Sequence, residues 1–368
     1  MQKLESVIRE KDIVIAGAEE KLRKQEEEIQ RLRDEVRNIT RSKVLIEAEL
    51  NVVRSDLDIA KSAKQRPSFT LSEIADNPIL MTHFTGLPNI EVFNVILGMF
   101  ENVTLTYYAK WKVQVLSKAD QLLLTLLKLR RNPSNKDLAN RFKVSEGTVE
   151  NVFLTWVSAL HQVLVEGLMA DIPSRFKCAS SMPQSFNKFP NCRLVIDCTE
   201  IYAANPKKMS DQNDRFSNYK HRITLKCLVA IAPNGTIVYL SDLYPGSASD
   251  RMIVQNCGIL NKLEEGDTIL ADKGFLIGDL LPKGVSLNIP PFKTTPQMTP
   301  QQIESTIVIA SARVHVERAI RVIKTFQILD FIPGKCLPFA SKVFQVCGAL
   351  ANFKYPIIRE VADKMKSP

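Results

Sequence analysis

The stretch "RLVIDCTEI", residues 193–201, joins an apolar run, Leu194-Val195-Ile196, directly to a carboxylate, Asp197. A short apolar run of this kind reads as a buried strand. Taking an ionised carboxylate out of water at its end is costly unless a cation or hydrogen bonds compensate. A second run of the same design, "DTILADKGF" (267–275), ends in Asp272. Between them, "HRITLKCLVAIAPNGTIVYLSDLYPG" (221–246) predicts a hairpin, with strands over 224–231 and 236–240 and the turn at Asn234-Gly235. "SASDRMIVQNCGILNKL" follows with helical spacing at Met252, Ile253, Ile259 and Leu260. A helical crossover sets the next strand parallel to the first, and often beside it.

Ligand sites in such sheets form at the carboxyl ends of the strands, where Asp197 and Asp272 would meet. A long helix expected over 300–326 carries Glu317 toward the same edge, with Val314, Val316 and Ile320 packing it on the sheet. Three carboxylates brought together do not all stay ionised without a cation. Oxygen-only ligands suit Mg²⁺ or Mn²⁺ rather than zinc. Two such ions about 3.5–4 Å apart are the usual machinery for in-line displacement at phosphorus. Asp197, Asp272 and Glu317 are therefore the expected metal ligands and catalytic residues. Asp250, at the start of the crossover helix, reads first as a cap or first-turn acid, with a role supporting the metal ligands left open. Asp242 and Asp267 read as turn residues, and His221 and His315 as structural imidazoles.

The rest of the chain fits a polyanionic partner. Its 368 residues are enough for two or three domains, and 45% hydrophobic with 24% charged residues is an ordinary globular balance. The formal net charge of +9, with a pI near 9.1, favours nucleic acid. Seven cysteines without a CxxC pair argue against a disulfide framework or zinc cluster. No run approaches a membrane span, and "MQKLESVIREKD" does not read as a signal peptide, so the expectation is a soluble intracellular protein.

Residues 1–66 show a heptad pattern. Ile8, Ile15, Leu22, Ile29, Val36, Leu50 and Leu57 fall at a, and Leu4, Leu32, Ile39, Ile46 and Val53 at d, with Lys11, Gln25 and Lys43 as polar interruptions. This predicts a coiled coil, and with it a homo-oligomer, although a heterologous partner helix is equally allowed. Residues 67–78, holding Pro67 and Pro78, read as a linker, and 79–170 as an all-helical domain. Within it, about 117–165 has the pattern of a helix-turn-helix. Ser117 caps one helix, Asn135 a short second one, and Thr148 to Leu164 forms the last, with Val149, Val152, Phe153, Trp156, Val157 and Leu160 on its inner face. Ser145, Thr148, Glu150 and Asn151 would enter the major groove. Lys128, Arg130, Arg131, Lys136, Arg141 and Lys143 would contact phosphates. A plain helical bundle with a solvated basic surface is the alternative. In "NPKKMSDQNDRFSNYKHR" (205–222), Lys207, Lys208, Arg215, Lys220 and Arg222 interleave with Phe216 and Tyr219, a composition suited to DNA backbone and an unstacked base, or to an ordinary basic loop.

"LVIDCTEI", "YKHRITLKCLVAIAPNGTIVYLSDLYPGSASD", "ILADKGF" and "RVHVERAIRVIK" together resemble a DDE superfamily endonuclease, the transposase domain of PIF/Harbinger-type elements and related bacterial insertion sequences. Arg313, Glu317 and Lys324, with three and six residues between them, follow a spacing of the bacterial relatives, whose preceding Tyr is replaced here by Ala310. The resemblance implies an α/β RNase H-like catalytic domain over 190–356, a mixed sheet with flanking helices, in which Asp197, Asp272 and Glu317 bind metal. Arg313, Arg318 and Lys324 would hold DNA phosphates, and the product would act in the nucleus. The expected activity is phosphodiester hydrolysis, followed by strand transfer in which the freed 3′-hydroxyl attacks target DNA. The alternatives are a domesticated, non-cutting DNA-binding protein and a coiled-coil scaffold with an inert C-terminal domain.

Overall fold

The computed structural model describes residues 2–65, 69–206, 215–292, 299–358 and 361; within the first helix, side chains are described over 19–54. The chain divides into two units, Met1–Arg66 and Pro67–Pro368. The first is one helix, α1 (Gln2–Gln65), of 64 residues. Ion pairs along its surface, such as Arg23 with Glu20 (3.0 Å) and with Glu27 (3.4 Å), support it locally. Leu22, Ile29, Leu32, Val36, Ile39, Ile46, Leu50 and Val53, all on the heptad seam, are 48–63% exposed.

The second unit begins with helices. α2 (Pro78–Thr85) is capped by Asn77 and α3 (Ile90–Gly98) by Asn89. α4 (Lys118–Arg131) starts, as expected, at a Ser117 whose side chain accepts from the Asp120 amide. α5 (Asn135–Phe142) is capped by Ser134 rather than Asn135, and Lys143 ends it in the left-handed region at φ 52°. α6 (Glu146–Leu160) starts two residues earlier than expected because Ser145 accepts from the Thr148 amide, and it continues as a π-helix over His161–Leu168. All six predicted inner-face residues of α6 are buried. Before that, Phe69 is buried edge-on against Phe84 and Phe142, so this residue of the expected linker packs on these helices.

After the short α7 (Arg175–Ala179) comes the sheet. Its described strands are β1 (Cys192–Tyr202), β2 (Phe216–Ser217), β3 (Arg222–Ile231), β4 (Ile237–Leu240), β5 (Tyr244–Pro245), β6 (Thr268–Leu270) and β7 (Ser286–Asn288). The order is β2-β3-β1-β6-β7, with β4 and β5 also pairing with β3. β1 runs antiparallel to β3 and parallel to β6, the mixed arrangement that the crossover predicted. The crossover helix is shorter than its apolar spacing suggested. α8 (Asp250–Asn256) ends before Gly258, which at φ 86° breaks the helix and leaves Ile259 in a separate 3-10 turn.

Two apolar clusters lie on the two faces of the sheet. Val195, Ile201, Val229 and Ile231 pack with α9 (Pro300–Ile323) and α10 (Ala340–Ala351). Leu194, Ile196, Leu228 and Ala230 pack with Ile253 and Val254 of α8. Helices thus flank both faces of a mixed sheet, in keeping with an RNase H-like architecture.

One residue read as a turn acid is something else. Asp267 is fully buried, and its Oδ2 lies 2.7 Å from Arg193 Nη1, a side chain only 3% exposed. Arg193 also donates to the carbonyls of Pro173 (3.1 Å) and Ile172 (3.2 Å), and Arg175 Nε approaches Asp267 Oδ1 at 3.4 Å. This ion pair ties the start of β1 to the residue before β6.

Candidate active site

The register of the parallel pair positions the two aspartates. Val195 of β1 is level with Leu270 of β6, and Asp197 and Asp272 each follow two residues later. The two carboxylates are therefore level on neighbouring chain segments. Asp272 lies just past the end of β6, whereas β1 runs on five residues beyond Asp197 to Tyr202, so Asp197 sits mid-strand rather than at the strand end expected from the sequence. Asp197 shares its parity with Val195 and Ile201, so it belongs to the face that α9 covers. On α9, Ala312, Val316, Ala319 and Ile323 are buried against the sheet, and Glu317 stands beside that seam, exposed.

The centre of this group is Arg313. Its Nη1 lies 3.0 Å from Asp272 Oδ1 and its Nη2 3.9 Å from Glu317 Oε1, while the side chain is 12% exposed and its Nε has no partner. Asp197 Oδ1 accepts from the Cys198 amide at 2.8 Å. Burial, with the charges of Asp272 and Glu317, pushes Asp197 up to about 6 against the opposing Cys198 amide and Arg313. Asp197 thus lies in the field of the other two acids and of the guanidinium. Among the described residues no three such side chains lie close enough to enclose a metal ion as they stand. The donor set is nevertheless that of a hard divalent cation: carboxylate oxygens only, drawn round a single positive group.

Asp250 is not part of this group. Ser249 caps α8 and Asp250 is its first-turn acid, paired with Lys226 Nζ at 2.7 Å and set against Cys198, which points to the opposite face from Asp197. Glu200, also on that face, accepts from Thr224 Oγ1 at 2.7 Å. His315 is the structural imidazole expected: buried, stacked on Phe186 and 3.1 Å from Ser185 Oγ, with burial pushing it down to about 4. His221 is not, being exposed with a φ of 51°.

The residues expected to contact DNA are placed as follows. Lys324 Nζ donates to the Glu200 carbonyl at 2.9 Å, at the end of β1, where burial and the nearby Lys220 lower its pKa. Arg318 is exposed on α9. Lys220 lies over the Tyr219 ring and Arg222 over that of Tyr202, at 4.5 and 5.4 Å. Lys207 and Lys208 lie outside the described residues. In the helix-turn-helix, Lys136, Lys143 and Ser145 are exposed, whereas Arg141 pairs with Asp137 at 3.1 Å and covers Phe69.

Asn151 is differently used. It is buried; its Oδ1 accepts from the Ala109 amide (2.9 Å) and its Nδ2 donates to the Trp111 carbonyl (3.0 Å). Thr148 is buried too, its hydroxyl against that of Ser145. The segment after α3 covers this side of α6, and the positions left exposed at the start of the helix are Glu146, Gly147 and Glu150. Asn151→Ala is expected to cost about 1–3 kcal/mol in urea melts, since the two hydrogen bonds between this buried side chain and the backbone of Ala109 and Trp111 are lost. Duplex affinity should stay unchanged; altered DNA selectivity at full stability would contradict this assignment.

Comparison with known families agrees with both halves of this arrangement. Residues 196–352 match the DDE superfamily endonuclease family, and residues 114–166 match the helix-turn-helix of DDE superfamily endonucleases. No curated protein and no solved structure gives a match. The second unit thus resembles, in order, the helix-turn-helix and the endonuclease domain of DDE-type transposases, which supports DNA as a partner. No helix among the described residues is long and apolar enough to cross a membrane.

Proposed function

We propose that the protein is a divalent-metal-dependent DNA endonuclease of the PIF/Harbinger transposase type, acting in the nucleus. The observation that carries this reading is the level placement of Asp197 and Asp272 on paired parallel strands, with Glu317 reaching the same guanidinium as Asp272. Asp197, Asp272 and Glu317 would hold Mg²⁺ or Mn²⁺, as one ion or a pair. When bound, such ions neutralise charge at the scissile phosphate and acidify water, the chemistry that phosphodiester hydrolysis requires. The protein's own part is positioning. Lys324 and Arg318 hold phosphates along α9, Lys220 and Arg222 follow the strand past the end of β1, and Tyr219 offers a face to an unstacked base. The same centre would carry strand transfer, with the freed 3′-hydroxyl as nucleophile. α1 would pair as a coiled coil with a second copy, since its apolar seam is otherwise left in water.

A non-cutting DNA-binding protein is the second reading, favoured by one observation: Arg313 pairs with Asp272 and lies 3.9 Å from Glu317, a protein cation set among these acids. Incubation with supercoiled plasmid separates the two. Nicking in Mg²⁺ or Mn²⁺ that chelator abolishes supports the nuclease. Retained DNA binding without nicking in either metal supports the second reading.

A further inference from the structure

Among the described residues, two cations without a carboxylate partner meet where the helix-turn-helix joins the end of α9. Arg130, in the last turn of α4, donates through Nη1 to the carbonyl of Thr325. Lys354, beyond α10, donates through Nζ to the hydroxyl of the same Thr325 at 2.6 Å and lies 4.4 Å over the Phe326 ring. Two cations from distant parts of the chain are thus gathered on one residue. Both are half-buried, the Arg130 Nε has no partner, and among the described residues neither side chain is in an ion pair.

The arrangement is built into the fold. Gly86, at φ 80°, ends α2 where a Cβ would stand 3.3 Å from both Arg130 Cδ and Phe326 Cε1, so a side chain here would crowd both groups. Like charges held together and partly desolvated are unfavourable without an anion. The strain shows in Lys354, which burial and the Arg130 charge push down to about 8. Arg130 is lowered as well, by burial and by Arg131.

We propose that Arg130 and Lys354 form a seat for one backbone phosphate of bound DNA, fixing the register between the helix-turn-helix and the catalytic edge. Thr325 directly follows Lys324, whose ammonium lies at the end of β1. A phosphate held at Thr325 therefore continues the row of positive charge from the carboxylate site to α4. This inference rests on the proposed function only for DNA as the ligand.

The test measures binding of a random-sequence duplex by the full chain in chelator, across a range of salt. Each phosphate neutralised contributes about −0.9 to the slope of log K against log salt. The Arg130→Gln/Lys354→Gln variant should show a slope shallower by about 0.9. Lys354→Arg, which keeps the charge, should keep the wild-type slope, and a melting curve confirms that each variant is folded. An unchanged slope in the folded double variant overturns the seat. So does an equal change on replacing the exposed Lys283, before β7, by Gln, which would reduce the pair to ordinary surface charge. Because no cutting is measured, a protein that fails to nick plasmid but shows the slope change loses the nuclease reading and keeps the seat.

Discussion

Asp272→Ala and Glu317→Ala are each expected to lower metal-dependent nicking by at least roughly 10²–10³-fold, with the fold intact. Both side chains are more than half exposed and neither takes part in the core, so each variant should fold. Glu317→Ala should leave the melting temperature nearly unchanged, and Asp272→Ala should lower it more, because Arg313 then keeps only the Glu317 carboxylate at 3.9 Å. Asp197→Asn should be as inactive, but with a distinctive effect on stability. Folding raises the Asp197 pKa to about 6, so the native state disfavours the ionised form. The stability associated with the protonated carboxyl is fully present below the unfolded value near 4, and it is lost as pH rises through about 6. Asparagine has no such proton to lose. In metal-free buffer the variant should match the wild type at acid pH and exceed it above pH 6, by on the order of 2 kcal/mol. Urea melts at pH 4, 6 and 8 would measure the gap. An Asp197→Asn protein that nicks normally would remove Asp197 from the catalytic group. One that is less stable than wild type at pH 8 would mean that the carboxylate supports the fold.

The second large effect is structural. Asp267→Ala would leave the Arg193 guanidinium buried at the start of β1 with its closest anionic partner gone. Breaking a buried pair from one side costs about 3–5 kcal/mol, a fall on the order of 10 °C in melting temperature for a domain of this size. Glu264, 3.1 Å away but 61% exposed, lies toward solvent and recovers only part of this. Replacing both partners, as in Arg193→Met/Asp267→Leu, should recover much of the loss, because the cost lies in the uncompensated charge. Calorimetry of the three proteins decides it: a double variant no better than Asp267→Ala would show that the pair contributes stability beyond avoiding an orphan. Since the pair joins the beginnings of β1 and β6, Asp267→Ala should also weaken nicking by loosening the register that brings Asp197 level with Asp272.

What the sequence could disclose depended on the range of the interaction. Asp197 and Asp272 were legible because each ends an apolar run, and the crossover rule then made their strands neighbours. Glu317 was legible because the helix expected over 300–326 carries it toward the same edge, and its spacing from Arg313 and Lys324 resembles a known one. Ser117 was legible as a cap because capping is local, whereas at 134–135 two adjacent polar residues competed and Ser134 won. Strands β2, β5 and β7 have two or three residues each, too few for a periodic pattern. Asp267 looked like a turn acid because nothing near it announces Arg193, 74 positions earlier. Asn151 looked available to DNA because only the folded chain lays Ala109 and Trp111 over it. Arg313 was assigned to phosphate from motif spacing, and only the geometry places it among the carboxylates.

The parallel pairing of β1 with β6 also bears on how the protein comes into being. Contacts between segments so far apart in sequence must meet the entropy of closing a long loop before they are rewarded, and they tend to form late in folding. The aspartates depend on that contact for their proximity. A nascent chain that has made β1, the hairpin and even α8 still holds one isolated carboxylate. Cutting competence is therefore expected to arise with the last cooperative step, so that incompletely folded molecules are harmless to the DNA around them.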